Sequence, residues 1–201
     1  VEAGVTLHTD AVQAAGKVPI DVNKLGVHLL SISAHKFYGP KGVGALYVRK
    51  GTRIEPLLYG GHSERDQRPG TENVAAIAGM GAAAGLAMKR MEQESHRVSA
   101  LRDRLENGLL ARIPYVTVNG LGARRTPNTT NLTLPFVEGE SMVIALDLKG
   151  IACSTGAACS SGALEPSHVL TAMGLAPEDA RATSLHLDGG GEIVGVHQPA
   201  G

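Results

Sequence analysis

The sequence predicts an α/β fold in two parts, a layered larger domain followed by a small α+β domain, and three observations predict it. Short β-branched or apolar runs alternate with helix signals and Gly-rich turns early in the chain, the pattern of a sheet layered with helices. An alanine-rich stretch opening near Glu72 gives way at Met91 to a charged, amphipathic one, so a domain boundary is placed there. Beyond it, strand and helix signals mix without strict alternation. The expected division is residues 1–91, residues 92–188, and a Gly-rich, aperiodic tail over residues 189–201 that reads as unstructured.

Each element has a local reason. Val5-Thr6-Leu7-His8 alternates and opens β-branched, predicting a short strand that ends at Asp10. Asp21 is placed to cap a short helix reaching Leu25, with Gly26 as its stop. Val27-His28-Leu29-Leu30-Ser31-Ile32-Ser33 is apolar enough for a central strand, and Gly44-Ala45-Leu46-Tyr47-Val48-Arg49 follows as a third. From Glu72 to Met88 nearly every residue is small or apolar, which predicts a buried helix. Val98, Leu101, Leu105 and Leu109 then recur at spacings of three and four among charges, which predicts a surface helix. Strands are expected near residues 115–118, 130–134 and 151–153, and helices over about residues 140–149 and from Pro166 to Gly174.

Composition narrows the function. Lysine plus arginine equals aspartate plus glutamate, 19 each, so no basic excess exists to collect the phosphates of a nucleic acid or a membrane surface. No apolar run approaches the roughly 20 residues of a membrane span. Two cysteines are too few for a disulfide framework, and no signal peptide is visible at Val1-Glu2-Ala3-Gly4, so a cytoplasmic setting is expected. The histidines His62, His96, His168, His186 and His197 have no metal-like spacing with the cysteines, and no metal site is expected.

The strongest chemical signal is Ser33-Ala34-His35-Lys36-Phe37-Tyr38-Gly39-Pro40-Lys41-Gly42. A strand ends, presents polar side chains and enters a tight loop, a setting that can hold an amine and an imidazole above a cofactor. A lysine there can form a Schiff base with an aldehyde cofactor. A loop lysine is ordinarily just solvated, but two features set Lys36 apart. Asp10, in His8-Thr9-Asp10-Ala11-Val12-Gln13, offers a carboxylate for a pyridinium nitrogen, with Gln13 one turn on; alone it would read as a helix cap. Arg68-Pro69-Gly70-Thr71-Glu72-Asn73 precedes a long helix, and its hydroxyl and backbone N–H groups suit a phosphate, although Thr71 alone would also read as a cap. A second signal is Cys153-Ser154-Thr155-Gly156-Ala157-Ala158-Cys159-Ser160-Ser161-Gly162, a Gly/Ser loop of the kind a shuttling thiolate needs. Cys153, after Ile151-Ala152, reads as a packed thiol.

Together, residues 8–13, 33–42 and 68–73 resemble the cysteine desulfurases of the NifS/IscS type, in the class V aminotransferase group of fold-type I pyridoxal-phosphate (PLP) enzymes. The resemblance runs from residue 1 to about residue 183, and implies the carboxy-terminal half of such an enzyme. It implies a mainly parallel sheet with helices in the larger domain, and a small domain that carries the cysteine loop. Lys36 would carry PLP as its Schiff base, Asp10 would face the pyridine nitrogen, and Gln13 would bond the ring oxygen. Ser33 and His35 would bind the phosphate, with His35 also catalytic. Thr71 would reach the phosphate of the partner subunit in a homodimer. Asn131 would stand near the substrate carboxylate. Cys159 would take sulfur from L-cysteine as a persulfide, leaving alanine, and pass it to an acceptor such as an iron–sulfur scaffold protein or a tRNA-thiolation pathway. The alternatives are a catalytically incomplete fragment that acts through partner binding, and a related PLP lyase such as selenocysteine lyase.

Two departures from that family accompany the resemblance. Its members are about twice this length, and their other half carries further phosphate and ring contacts. After Ala180-Arg181-Ala182-Thr183 the family continues with a substrate-binding arginine, whereas this chain reads Ser184-Leu185-His186-Leu187-Asp188-Gly189. The tail is therefore expected to be out of frame or replaced, an idea that an intact gene reading as written would sink.

Overall fold

The structure is a computed structural model and describes residues 4–137, 139–151 and 166–177. The chain divides into two units, Val1–Glu92 and Gln93–Gly201.

The first unit is built on a three-stranded sheet in the order β1 (His8–Asp10), β2 (Leu29–Ser33), β3 (Gly44–Val48). β1 runs parallel to β2, with Asp10 beside Ser31, and β3 runs antiparallel to β2, with Gly44 opposite Ser33. The parallel pair needs a crossover, and α1 (Val22–Leu25) lies in it. Asp21 caps α1 through its carboxylate, which accepts from the Asn23 and Lys24 amides, and Gly26 closes it in the left-handed conformation at φ 67°. Arg49 fastens the end of β3 to the crossover, its Nε donating to the Val27 carbonyl at 2.8 Å and its Nη2 to that of Val22 at 2.7 Å.

One side of this sheet is apolar. Leu30 is buried with Ala11 and Val27, and Ile32 and Tyr47 pack against them. A second cluster forms beneath the turn that follows β2, where Ala34 and Phe37 meet Ala15 and the side chains Met80, Ala83, Ala84 and Ala87. Those last four come from α2 (Val74–Leu110), a 37-residue helix.

α2 differs from the expectation in three ways. It starts at Val74, because the Asn73 side chain accepts from the Ala76 amide at 3.2 Å; the cap is Asn73 and not Thr71. It is a single helix through Met91, since a change from apolar to charged composition leaves the backbone hydrogen bonds intact. Its alanine-rich portion is not buried all round: Ala76 is the buried residue there, while Val74 and Met88 are 71% and 75% exposed. Alanine supports a helix by low entropic cost without requiring burial, so composition overstated the contact.

The second unit holds a two-stranded antiparallel pair, β4 (Thr117–Val118) and β5 (Leu132–Thr133), with Val118 opposite Leu132. Alternation sends Val116, Val118, Leu132 and Leu134 into one core, against Leu109 and Met142. α3 (Gly139–Asp147) and α4 (His168–Ala172) follow. Ser167 caps α4, and Gly174, at φ 97°, comes just after it. The strands are shorter than their sequence patterns, and Ile151 lies outside any strand. The rest of the expected strand 151–153, the loop with Cys153 and Cys159, and the tail over residues 189–201 lie outside the described residues.

Candidate functional site

The site begins with the parity of the sheet. Side chains alternate along a strand, and parallel neighbours in register share a side. Leu30 and Ile32 occupy the apolar side, so Ser31 and Ser33 take the other, and Asp10, beside Ser31, joins them with His8. The result is a polar row of His8, Asp10, Ser31 and Ser33. The His8 Nε2 and the Ser31 hydroxyl are hydrogen-bonded at 2.8 Å across the two strands. Asp10 is the last residue of β1 and Ser33 the last of β2, and these strands are parallel, so both leave the sheet at the same edge. Ligands of open α/β sheets bind beyond that carboxyl edge.

The local fastenings are short. Asp10 Oδ1 accepts from the Val12 amide at 2.8 Å, which fixes the carboxylate plane and leaves Oδ2 for another partner. Gln13 Oε1 accepts from Lys17 Nζ at 3.1 Å, which fixes its amide with the NH2 group turned elsewhere. The Ser33 hydroxyl and His35 Nδ1 are hydrogen-bonded at 2.8 Å. Lys36 sits on a single 3-10 turn, Ala34–Phe37, between two buried anchors, Ala34 at 0% exposure and Phe37 at 5%. Burying a Phe is worth about 1.5–3 kcal/mol, so the turn is held from below while the half-buried Lys36 is carried on it.

The chain reverses tightly after that turn. Tyr38 is in the left-handed conformation at φ 66°, and the Gly39 amide donates to the Ala34 carbonyl at 2.9 Å. A Cβ at Gly39 would stand 2.9 Å from that of Ala34, and one at Gly44 would stand 2.6 Å from the Ile32 carbonyl oxygen. Both glycines are there for close approach: they let β3 return beside β2 and keep the lysine turn against the sheet edge.

The first unit thus brings Asp10, Ser33, His35 and Lys36 to the ends of two adjacent parallel strands, with Gln13 just after β1. Thr71 is exposed in the segment leading to α2. The preceding residues Glu64, Arg65 and Asp66 are all left-handed, and His62 pairs with Asp66 at 2.7 Å on the surface. Asn131 belongs to the second unit. Its Oδ1 accepts from Asn119 Nδ2, and its carbonyl accepts from the Asn119 amide at 2.8 Å. His8, Ser31 and Asn119 stand outside the residues expected from the sequence to form a site. The first two carried a signal, since His8 and Asp10, and Ser31 and Ser33, are each two apart on a strand. Asn119 carried none, since its partner is twelve residues away.

The second unit also buries an ion pair. Arg125 donates to both Glu106 oxygens, at 2.7 and 3.1 Å, with Glu106 only 6% exposed. Burial pushes the Glu106 carboxyl up, but the Arg125 bonds and the Arg125 and Arg102 charges outweigh it and hold it below its ordinary value of 4.5. The Thr130 hydroxyl stands close enough to help lower it, yet outside good hydrogen-bond geometry. The Glu106 hydrogen bond raises Arg125 above its own ordinary value, against the opposing effect of burial. Arg102 Nη1 donates to the Thr126 carbonyl at 3.1 Å, so this cluster holds the start of the segment that ends at Asn131.

The residues of the sheet edge fit PLP in chemistry: a fixed carboxylate with one oxygen to spare, an amide with its donors turned outward, a Ser–His pair and a primary amine. Among the described residues no group of three or more His, Cys, Asp or Glu side chains gathers as for a metal ion, and no helix is long and apolar enough to cross a membrane.

Comparison with known proteins adds to this. The family model described as Aminotransferase class-V matches residues 1–187. The cysteine desulfurase NifS of Azotobacter vinelandii is 52% identical over 182 residues, covering 90% of this chain and 45% of that protein. A NifS-like protein from Rickettsia africae matches in structure with a TM-score of 0.82 at 35% identity, over 91% of this chain and 48% of that one. SspA, solved in complex with cysteine, matches with a TM-score of 0.69 at 34% identity, over 93% and 51%. The chain spans about half the length of these relatives.

Proposed function

The chain belongs to the class-V aminotransferase family, and from that premise we propose that its protein is a PLP-dependent cysteine desulfurase, which converts L-cysteine to L-alanine and delivers the sulfur to Cys159. The observation that carries the reading is the meeting of Asp10, Ser33, His35 and Lys36 at the carboxyl edge of β1 and β2. Relatives at about half identity named cysteine desulfurase favour it over a selenocysteine lyase.

When bound, PLP supplies an electron sink for the negative charge that develops at the substrate α-carbon. Lys36 would hold the cofactor through its amine, and the same amine, when free, would move the substrate α-proton. Asp10 would face the ring nitrogen and favour its protonated form through the oxygen that the Val12 amide does not occupy. Gln13, its oxygen taken by Lys17, would donate its NH2 group to the ring oxygen, and the Ser33–His35 pair would hold the phosphate. Asn131 donates to the substrate carboxylate. The Cys159 thiolate attacks the substrate Sγ: a sulfur–sulfur bond forms, the carbon–sulfur bond breaks, and the electron pair leaves with the carbon skeleton that becomes alanine. Thr71 serves the phosphate of a homodimer partner. The persulfide sulfur passes to an acceptor protein such as an iron–sulfur scaffold, in the cytoplasm.

The test is mass spectrometry of the chain incubated with PLP and L-cysteine. Alanine in solution with one added sulfur on Cys159 is expected. Cys159→Ser should abolish the added sulfur, and Lys36→Ala should abolish borohydride-trapped cofactor. Trapped cofactor on a lysine other than Lys36 would overturn the assignment.

A further inference from the structure

We infer that Lys17 is a positioning residue that decides which end of the Gln13 amide meets the cofactor. The inference rests on the proposed role of Gln13 toward the ring oxygen, and it lies wholly within the first unit. A primary amide is ambivalent: one end donates, the other accepts, and the two have nearly the same shape. Only the donating end suits a ring oxygen. A hydroxyl or a second amide beside Gln13 could answer either end and would choose nothing. An ammonium can only donate.

Gln13 has an ammonium for a neighbour. Its Oε1 accepts from Lys17 Nζ at 3.1 Å. The turned-over amide would set donor against donor, so the NH2 group is left for another partner. The backbone keeps the pair within reach. The Ala15 amide donates to the Ala11 carbonyl at 2.9 Å and the Val18 amide to that of Ala14 at 3.1 Å, so residues 11–18 wind as a helix does. On such a turn, residues four apart share a face. Ala11 and Ala15 take the buried one, Ala11 with Leu30 and Ala15 with Ala34 and Phe37. Gln13 and Lys17 share another, Gln13 exposed and Lys17 half-buried. Gly16, at φ 76°, presses this turn onto the one that carries Lys36: a Cβ there would stand 2.9 Å from that of Phe37. Gly16 precedes Lys17 and Phe37 follows Lys36, so that single contact registers both lysines. The orientation of Gln13 is thus set before any cofactor arrives.

The experiment separates orientation from charge, since a cation near the ring also acts through space. It reads the pH midpoint of the absorption change of bound PLP, which is set by the proton on the nitrogen joining Lys36 to the ring. A donor on the ring oxygen draws off electron density that would otherwise hold that proton, so losing the donor raises the midpoint. Lys17→Glu offers only an acceptor and draws the Gln13 NH2 group to itself. It should raise the midpoint by roughly 0.5–1 pH unit, a three- to tenfold change in proton affinity. Lys17→Met attracts neither end and should raise it less. Lys17→Arg offers only donors again and should leave it in place. His8, Asp10, His35 and Lys36, the other titratable groups at this edge, are the same in every variant. Gln13→Leu removes the amide and should raise the midpoint about as far as Lys17→Glu does. Adding Lys17→Glu to Gln13→Leu should then change little, because the group it acts through is gone. A second rise as large as the first would assign the effect to charge alone and overturn the inference. The other readout needs no cofactor. In the PLP-free protein, the ammonium polarises the Gln13 carbonyl, so the Cδ carbon-13 resonance should move upfield in Lys17→Met and hold in Lys17→Arg. A resonance that stays in place in Lys17→Met would overturn the inference whatever the bound cofactor does. An unchanged midpoint in Gln13→Leu, beside the expected carbon shift, would overturn it through the cofactor role of Gln13. A protein that takes up no PLP on Lys36 would overturn the proposed function with it.

Discussion

Apart from the His8–Ser31 bond between β1 and β2, the polar groups at the sheet edge of the first unit and those at the strand pair of the second are fastened over very different distances. At the sheet edge, Asp10 is held by the amide two residues on, Ser33 by the side chain two residues on, and Gln13 by the side chain four residues on. In the second unit, Arg125 reaches Glu106 across nineteen residues and Asn119 reaches Asn131 across twelve. Near-neighbour bonds survive on an exposed edge, since the chain itself keeps the partners close. They engage one side of each group and leave the other for a ligand. Distant bonds need a core to bring the partners together, and the Arg125–Glu106 pair buries charge in doing so. The first arrangement suits side chains that must change partners during a reaction. The second suits side chains that must not.

That contrast can be broken where burial is deepest. Arg125→Ala leaves the Glu106 carboxylate buried without its cation and should destabilise the second unit by about 3 kcal/mol, read as faster amide exchange in β4 and β5 while β1 and β2 hold. The pair also fixes a pH dependence. Glu106 binds its proton less tightly folded than unfolded, so its contribution is complete above the ordinary value of 4.5 and is lost as pH falls through the lowered folded value. Acid should therefore loosen β4 and β5, and Arg125→Ala should remove most of that acid sensitivity.

Two smaller changes sharpen the comparison from the other side. Gly44→Ala puts a Cβ 2.6 Å from a carbonyl oxygen that cannot swing away, and should cost roughly 1–3 kcal/mol. Amide exchange along β2 and β3 checks it, and an unchanged rate would show that the turn after Lys36 relaxes more freely than the spacing implies. Asp21→Ala removes a cap and should cost about 1 kcal/mol, with lost protection confined to Asn23, Lys24 and their neighbours. Loss spreading to β2 would mean that the crossover helps hold the sheet edge.

What could be read from the sequence follows the same division. Asp21 and Gly26 were legible as the two ends of α1, because caps are decided within a turn of chain. The residues proposed to hold the cofactor drew attention as a group because strand ends and tight loops leave local marks. Elsewhere composition stood in for contact, and misled. The alanines of α2 read as a buried helix, though Ala75, Ala78 and Ala82 satisfy the backbone while exposed. The charged stretch after Met91 read as a new element, though hydrogen bonding along the backbone ignores what the side chains carry. The pairings of Asn119 with Asn131 and of Glu106 with Arg125 were out of reach, because each depends on how a loop closes between two residues far apart in the chain.

The alternation of β2 works as an error check on assembly. Were it to pair one residue out of place, Ser31 and Ser33 would enter the apolar layer while Leu30 and Ile32 faced water, so the fault would cost energy on both sides at once. A two-residue fault passes that check, but in one direction it brings Leu46 to the place of Gly44, where the Ile32 carbonyl leaves no room for a side chain. A misassembled sheet would therefore be penalised before its lysine turn could present a false site.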